Sequence, residues 1–468
     1  MFSVSRISVR DPADAAAAAE SVERRICAGP PRVGKVGTVR GQLVANGPCS
    51  QEVFQVIDRD EIDAAGKQLG VHAVNVQRDY LYGWLLAGLY GNETLTSDRL
   101  VLKGGNAFRK GYFANTRFSG DLDFAAPTGL RPDQFLETLN NVCRMIQART
   151  GVEFDLDRNA QTGRRAIDAS KTVHKFALYF EDFYGKPGKM SIALRMDVTE
   201  FGRLYLPIQQ RDLIHPYSDQ ADCAAKLAVV SLEEALADKL KCLLQRQMSN
   251  DLFDLVYSIF VNNDVAVDKK QVVATFLRKT IFEPSPQAAL RLLLAVPFEI
   301  MRGYWNKIVC VASSRMEFTA AVEAFKEEMR SLFSTFRYGE HNQLAFFPPE
   351  LRTPIMRAGQ EQTLLDITYD GASRLVEPYS LEFKWRKDGS GQEYLYVWDQ
   401  TGGRSGPGIK SLFNWKITAL ENTEVKFEPR FEIELAKAGE YGQSTTFAAQ
   451  RLRGRRVATA STRGRARR

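Results

Sequence analysis

The sequence predicts an α+β protein with an acid-bearing strand in its N-terminal half and a separate β-rich module near its C-terminus. Three observations lead there. The stretch LVLKGGNAFRKGYF to FSGDLDF reads as strand, Gly-Gly turn, helix and a second strand that carries two acids. Residues 231–335 are dominated by helical patterns. From about residue 363 the texture changes to short strands and Gly-rich turns, such as LLDITYD and EYLYVWDQ.

Composition narrows the class. The chain has 468 residues, enough for several domains, and its 44% apolar content is ordinary for a globular protein. Its longest apolar stretches fall far short of the roughly 18 residues that a membrane span needs. The alanine-rich start is flanked by Asp11, Asp14 and Glu20, which argues against a secretory leader. Six cysteines are scattered with no CxxC pair, and none of the four histidines lies near a cysteine. That argues against a zinc site and fits a reducing cytoplasm. The net charge is +7, but residues 451–468 hold eight arginines and no acid, so the rest carries −1. Such a tail cannot bury a core and is expected to be disordered. It reads either as a nucleic-acid-binding arm acting by counterion release or as a merely solvated tail.

The elements follow in order. Residues 1–50 lack periodicity and read as a flexible extension. Within it, Gly29 to Lys35 match GxxxxGK, but Val36 stands where a phosphate-binding loop needs Ser or Thr, and no strand precedes it. Residues 51–210 form the expected catalytic core. Helices are expected over 52–70, 76–91 and 132–150. A hairpin then runs from HKFALYFED through YGKPGK to MSIALRMDVTEF. In its second strand Met190, Ile192, Leu194, Met196 and Val198 alternate with Ser191, Ala193, Arg195, Asp197 and Thr199. Residues 211–345 read as a helical domain, 346–440 as a β domain and 441–468 as the Arg-rich tail.

The chemistry concentrates at Asp121 and Asp123. Spaced i, i+2 on a strand, they share a face, while Leu122 and Phe124 anchor the other face in a core. Two carboxylates about 4 Å apart repel by about 4 kcal/mol at an effective dielectric near 20. The pair therefore calls for a cation, a shared proton or water. Oxygen ligands favour magnesium or manganese. Upstream, Gly104-Gly105 feeds a helix and can expose backbone amides to a phosphate. Arg109 and Lys110 lie in that helix within possible reach of phosphate oxygens, and Ser119 shares the strand face of Asp121. A phosphate nest beside paired acids is the minimal apparatus for metal-assisted phosphoryl transfer. Cys242, His174, Tyr80, Trp84 and Tyr90 are assigned to packing. No Ser/His/Asp set supports a hydrolase.

LKGGNAFRKGYFANTRFSGDLDF resembles the signature of the AbiEii/AbiGii-type nucleotidyltransferases, toxins of bacterial toxin–antitoxin and abortive-infection systems. The family pattern is GGT-x-L-x-K followed by R-[FT]-S-x-DLD. Asn106 stands here for Thr and Phe108 for Leu. SLEEALADKLKCLLQR with NDLFDL resembles the family's second block, with Asn250 where Arg is usual. The resemblance covers roughly residues 55–335. It implies a polymerase-β-like fold and transfer of a nucleoside monophosphate from an NTP to an acceptor hydroxyl, with release of pyrophosphate. Some relatives modify the 3′ acceptor end of tRNA, which makes RNA the expected acceptor; an antitoxin protein is the expected partner. By the same resemblance Asp121 and Asp123 hold Mg²⁺ or Mn²⁺, Asp197 is a third carboxylate, and Lys239 contacts the triphosphate. Asp251 or Asp254 orients the triphosphate or the acceptor. Lys239 and Asp251 are twelve residues apart, about 18 Å along one straight helix. A shared role thus requires two helices meeting near 248–250, capped by Ser249 or Asn250.

LLDITYDGASRLVEPYSLEFKWRKDGSGQEYLYVWD resembles a WYL domain, a small Sm-like β-barrel of bacterial regulators and defence proteins. Glu393 replaces that domain's Trp, and the later basic block survives only as KSLFNWKI, with Lys410, Phe413 and Lys416. The resemblance covers about 365–425. It implies a nucleic-acid or nucleotide-like ligand sensor, and a structural or dimerising barrel is the equal alternative. Two rival functions accompany these readings: a sensor with an inactive transferase body, and a transferase that modifies protein.

Overall fold

The computed structural model describes residues 57, 59–91, 100–166, 172–183, 191–336, 345–386, 391–403, 406–431 and 433–435. The expected N-terminal extension with its GxxxxGK look-alike, the YGKPGK turn and the Arg-rich tail lie outside the described residues.

Two helices come first, α1 (Arg59–Leu69) and α2 (Ala73–Tyr90). Apolar side chains surround α2, and it is buried without interruption from Tyr80 to Leu86. A helix of that kind belongs inside a core. It crosses α4 (Pro132–Thr150) at Gly88, where a Cβ would stand 2.5 Å from Val142 Cγ1. Proline opens α4 and Gly151 at φ 71° closes it. The helix buries Phe135, Leu139, Val142 and Ile146 at helical spacing, and Phe135 meets Phe176 edge to face at 5.1 Å.

A seven-stranded mixed sheet lies against these helices. Its strands are β1 (Val101–Lys103), β2 (Asp121–Ala126), β3 (Ala160–Ala166), β4 (Thr172–Glu181), β5 (Ser191–Glu200), β6 (Gln209–Asp212) and β7 (Lys226–Val229). Their order is β3-β4-β5-β2-β1-β7-β6. β2 runs parallel to β5 and β1 parallel to β7, while the other neighbours are antiparallel. The alternation expected in β5 is present: Ile192, Leu194, Met196 and Val198 are buried, and Ala193, Arg195, Asp197 and Thr199 are half-buried. Gly104 and Gly105 are not a free turn but the first residues of α3 (Gly104–Ala107), which widens into an i→i+5 turn over Phe108–Tyr112.

Helices α5 (Leu232–Gln245), α6 (Ser249–Val256), α7 (Lys269–Lys279), α8 (Pro286–Leu294), α9 (Glu299–Trp305) and α10 (Phe318–Phe333) follow. They extend the same apolar core, which runs from Ile57 to Phe346. α5 starts on an N-cap, with Ser231 Oγ accepting from Glu234 N.

A second core begins at Phe347 and ends at Leu435. Helix α11 (Pro349–Glu361) precedes β8 (Thr363–Tyr369), β9 (Ala372–Trp385), β10 (Gly391–Asp399), β11 (Gly408–Leu412) and β12 (Ile417–Lys426). The strands form an antiparallel sheet in the order β11-β10-β9-β8-β12. This corrects the expected closed barrel: among the described residues, β11 and β12 are two edges that do not pair. The core of this sheet is completed by Ile355, Met356 and Ala358 of α11 and by Ile433 and Leu435, so closure is not needed to cover it. The β12 edge carries Glu421, Asn422, Glu424 and Lys426, largely exposed, the sort of charged rim that discourages further pairing.

Candidate active site

The parallel register of β2 and β5 sets Asp121 beside Arg195 and Asp123 beside Asp197. In-register neighbours on adjacent strands share a face and lie about 4.8 Å apart along the backbone. Leu122, Phe124, Met196 and Val198 hold the opposite face in the core, fully buried or nearly so. Asp121, Asp123 and Asp197 therefore stand together on the open face. Desolvation and the charge of Asp123 raise the pKa of Asp121. Desolvation pushes Asp197 up to about 6, against the pull of Lys175, whose Nζ lies 3.7 Å from its carboxylate; Asp123 and Asp121 add to the rise. Among the described residues no three His, Cys, Asp or Glu side chains form a ready-made metal cage. The donor set still suits a hard cation: two carboxylates on one strand, a third in register, and an electrostatic cost that a positive charge would relieve.

This cost has a pH signature in the cation-free protein. The folded pKa of Asp197 lies above its ordinary 3.8, so the fold is favoured while the group is protonated. The contribution is present below the unfolded value and is lost as pH rises through about 6. In chelator, Asp197→Asn is expected to melt higher than the wild type near neutral pH, with the gap closing at acid pH. Thermal unfolding at several pH values checks this, and a gap that does not vary with pH would contradict it.

Gly104 is dictated by Asp123. Its φ is +68°, and a Cβ there would lie 2.0 Å from Asp123 Oδ2. A Cβ on Gly105 would meet Ser119 Oγ at 2.5 Å. Gly104 thus lets backbone close on Asp123, and Gly105 lets it close on Ser119. Ser119 Oγ donates to Asp121 Oδ1 at 3.3 Å, and Asn106 Nδ2 donates to the Asp121 carbonyl at 2.5 Å. Tyr82 ties the entry to β2 by donating to the Gly120 carbonyl at 2.7 Å. Gly104→Ala is expected to displace Asp123 and reduce nucleotide transfer by about a hundredfold or more, the scale of a misplacement near 1 Å. Steady-state kinetics and a circular dichroism spectrum of the variant check it.

The expected reach of Arg109 and Lys110 to phosphate is corrected. Both are buried and turned away from the acids. Arg109 Nε bonds Asp79 Oδ1 at 2.6 Å and its guanidinium covers the Phe118 ring, while Lys110 Nζ pairs with Asp79 at 3.0 Å. Asp79 also accepts from Tyr217 Oη at 2.8 Å, and its carboxyl is held well below the usual range by Arg109 and Lys110 despite its burial. These residues fasten the wide helical turn to α2. The sequence signal was Asp79 itself, a lone acid within VQRDYLYGWLLAGLY, which demands a buried cation. The aromatic residues read as packing also bind polar groups: Tyr80 and Trp84 donate to Asp219, and Tyr90 donates to the carbonyls of Leu100 and Ala228.

The second sequence block arrives beside the acids through a helix break. α5 ends at Gln245 and α6 begins at Ser249, with Gln247 at φ 52°. The cap is Met248, with no side-chain hydrogen bond, so the expected capping role of Ser249 or Asn250 is corrected. Across the break Lys239 Nζ reaches Asp251 at 3.0 Å and Asp254 at 2.8 Å. Arg117 makes a two-pronged bond to Asp254 with both arms at 2.8 Å, and Arg246 makes one to Asp251 with both arms at 2.9 Å. Three cations and two acids thus alternate in one row. Asp251 and Asp254 are fully buried within it, so neither faces a nucleotide; both act through the cations they hold. Lys239 is also almost wholly buried, whereas the Arg246 side chain is 38% exposed. Arg117, Arg246 and Lys239 all pull the Asp121 carboxyl towards ionisation, and Arg246 feels the charge of Asp123.

Sequence reasoning missed Arg117 and Arg246. A signal was present in the position of Arg246, a cation in the short link between the two helical stretches, five residues before Asp251. Only the fold shows which of these cations faces the carboxylates.

With this geometry in place, comparison with known proteins is specific. Residues 88–310 match the family described as nucleotidyl transferase AbiEii toxin, type IV toxin–antitoxin system. Residues 88–310 form an AbiEii-type nucleotidyltransferase region. The matched stretch contains Gly104, Gly105, Asp121, Asp123, Asp197, Lys239 and Arg246, and it ends before the C-terminal module. No curated protein matches the chain. Seven chains among the solved structures match. One is MenT4, a nucleotidyltransferase toxin from Mycobacterium tuberculosis H37Rv. It is 21% identical in an alignment covering 59% of this chain and 90% of that one, with a TM-score of 0.40. No helix among the described residues is long and apolar enough to cross a membrane.

Proposed function

We propose that this nucleotidyltransferase moves a nucleoside monophosphate from an NTP to a hydroxyl of RNA, at the 3′ end of tRNA, and acts as a toxin held in check by a cognate antitoxin. The observation that carries the reading is the shared face of Asp121, Asp123 and Asp197, with the backbone of Gly104 closed against Asp123. Asp121 and Asp123 would hold Mg²⁺ or Mn²⁺, which when bound supplies positive charge to the phosphate oxygens and lowers the cost of bringing an attacking oxygen to them.

The chain's own groups do the rest. The amides of the Gly104-Gly105 helix start and the partly exposed Arg246 guanidinium, held on one side by Asp251, bind the phosphates. Lys239 supplies charge from behind, held by Asp251 and Asp254. Ser119 steadies Asp121. The acceptor hydroxyl oxygen attacks the α-phosphorus, the bond from that phosphorus to the bridging oxygen breaks, and pyrophosphate leaves. The hydroxyl proton passes to a carboxylate oxygen of Asp197.

Residues 51–210 then act as the catalytic core, 211–345 as its helical support and 346–440 as a WYL-type module. The module reading is supported by a helix leading into five antiparallel strands. The Arg-rich tail serves as a non-specific RNA arm, and the reaction takes place in the cytoplasm. Incubation with labelled NTP, Mg²⁺, and either total RNA or total protein tests the acceptor. A discrete labelled RNA band is expected. Label on protein alone would move the acceptor to a protein hydroxyl, and metal binding without any turnover would favour a sensor with an inactive body.

A further inference from the structure

We infer that Arg352, a residue of the C-terminal module, positions Arg246 for the nucleotide's phosphates, so that the module is a working part of the catalytic unit. The inference rests on the reading of Arg246 as a phosphate ligand given above.

A helix leaves its last four carbonyls without partners inside the helix. At the end of α5 one of these belongs to Leu244, and it accepts from Arg352 Nη1 at 2.7 Å. The next side chain, Gln245, donates to the Leu381 carbonyl in β9 at 3.4 Å. Arg246 follows at once. The two residues that lead into it are therefore both tied to the module. At the bend the amides of Arg246 and Gln247 both donate to the Cys242 carbonyl; Gln247 sits at φ 52°, and among the described residues its buried side-chain amide has no hydrogen-bond partner.

Arg352 is in turn held firmly. Its Nη2 bonds Glu393 Oε1 at 2.7 Å and Oε2 at 2.5 Å, and both side chains are buried. Glu393 also accepts from Phe347 N at 2.8 Å. A buried ion pair of this kind is often no more stabilising than a well-packed apolar pair. An apolar pair could not reach out to a helix-end carbonyl on another layer, which is what Arg352 does. Glu393 stands where the WYL pattern has Trp. The departure from that pattern is thus the partner that orients Arg352.

The test exchanges the pair for apolar residues, Arg352→Met with Glu393→Leu, which strands no buried charge. On the full chain with its RNA acceptor, KM for NTP is expected to rise about tenfold while kcat changes far less, the mark of lost ground-state binding. In an Arg246→Ala background the same exchange should leave KM where Arg246→Ala alone puts it. An unchanged KM in the first background, or a full additional rise in the second, would overturn the positioning role. Amide exchange at Arg246 and Gln247, both bonded to the Cys242 carbonyl, supplies a readout that needs no turnover. It should quicken in the paired variant, and exchange equal to the wild type would also overturn the role. A wild-type protein that transfers no nucleotide would refute the functional reading instead, and the exchange result would still decide the positioning.

Discussion

Asp121→Ala and Asp123→Ala are each expected to lower nucleotide transfer by about a thousandfold or more. A Lewis-acid cation contributes several kcal/mol to phosphoryl transfer, and each 1.36 kcal/mol is a factor of about ten in rate. Loss of a ligand for that cation forfeits most of this. The effect on the fold should run the other way. Asp123 raises the pKa of Asp121 by repulsion, and both belong to a face where three acids crowd. Without cation, Asp123→Ala should melt no lower than the wild type, because it removes that repulsion. A variant that is inactive and stable identifies a reaction residue. A variant that loses activity only because it unfolds would not.

Asp254→Ala is expected to produce the largest loss of stability. Asp254 is buried and accepts both arms of Arg117 and the ammonium of Lys239. Its removal leaves two cations in the interior with Asp251 as the remaining acid of the row, and Asp251 already serves Arg246. Breaking a buried pair from one side costs about 3–5 kcal/mol. A shift of that size consumes much of the stability of a typical domain. Urea unfolding read by circular dichroism checks it. A midpoint within error of the wild type would mean that the row is not a structural unit. Reversing the site with Lys239→Met in the Asp254→Ala background should recover part of the loss, since it withdraws one stranded charge.

The sequence made the centre legible because its signal is local. Asp121 and Asp123 declare a shared face by spacing alone, and Leu122 and Phe124 declare which face is core. Gly104-Gly105 declares close approach of backbone. The alternation in β5 places Asp197 on an outward face, although only the parallel register beside β2 brings it opposite Asp123. The break between α5 and α6 follows from a length argument: Lys239 and Asp251 meet only if the helix stops.

The failures share one cause, which is direction. Spacing cannot say whether a helical cation points to the cleft or to the core. Arg109 and Lys110 lie close to the glycines in sequence, yet the wide turn aims both at Asp79 in α2. Asp251 and Asp254 sit in the right block but face inward. Arg246 sits in the same block and faces out. The C-terminal sheet was legible strand by strand; its failure to close was not, because α11 and residues after β12 complete the core by long-range packing.

One measurement bears most directly on the reaction assigned to Asp121, Asp123 and Asp197. Parallel reactions with NTP labelled at the α-phosphate and at the γ-phosphate, each with RNA and Mg²⁺, follow which atom reaches the acceptor. The predicted result is α-label on RNA and γ-label in pyrophosphate, with both signals absent in Asp123→Ala. Transfer of γ-label to the acceptor, or α-label transfer that survives in Asp123→Ala, would contradict it.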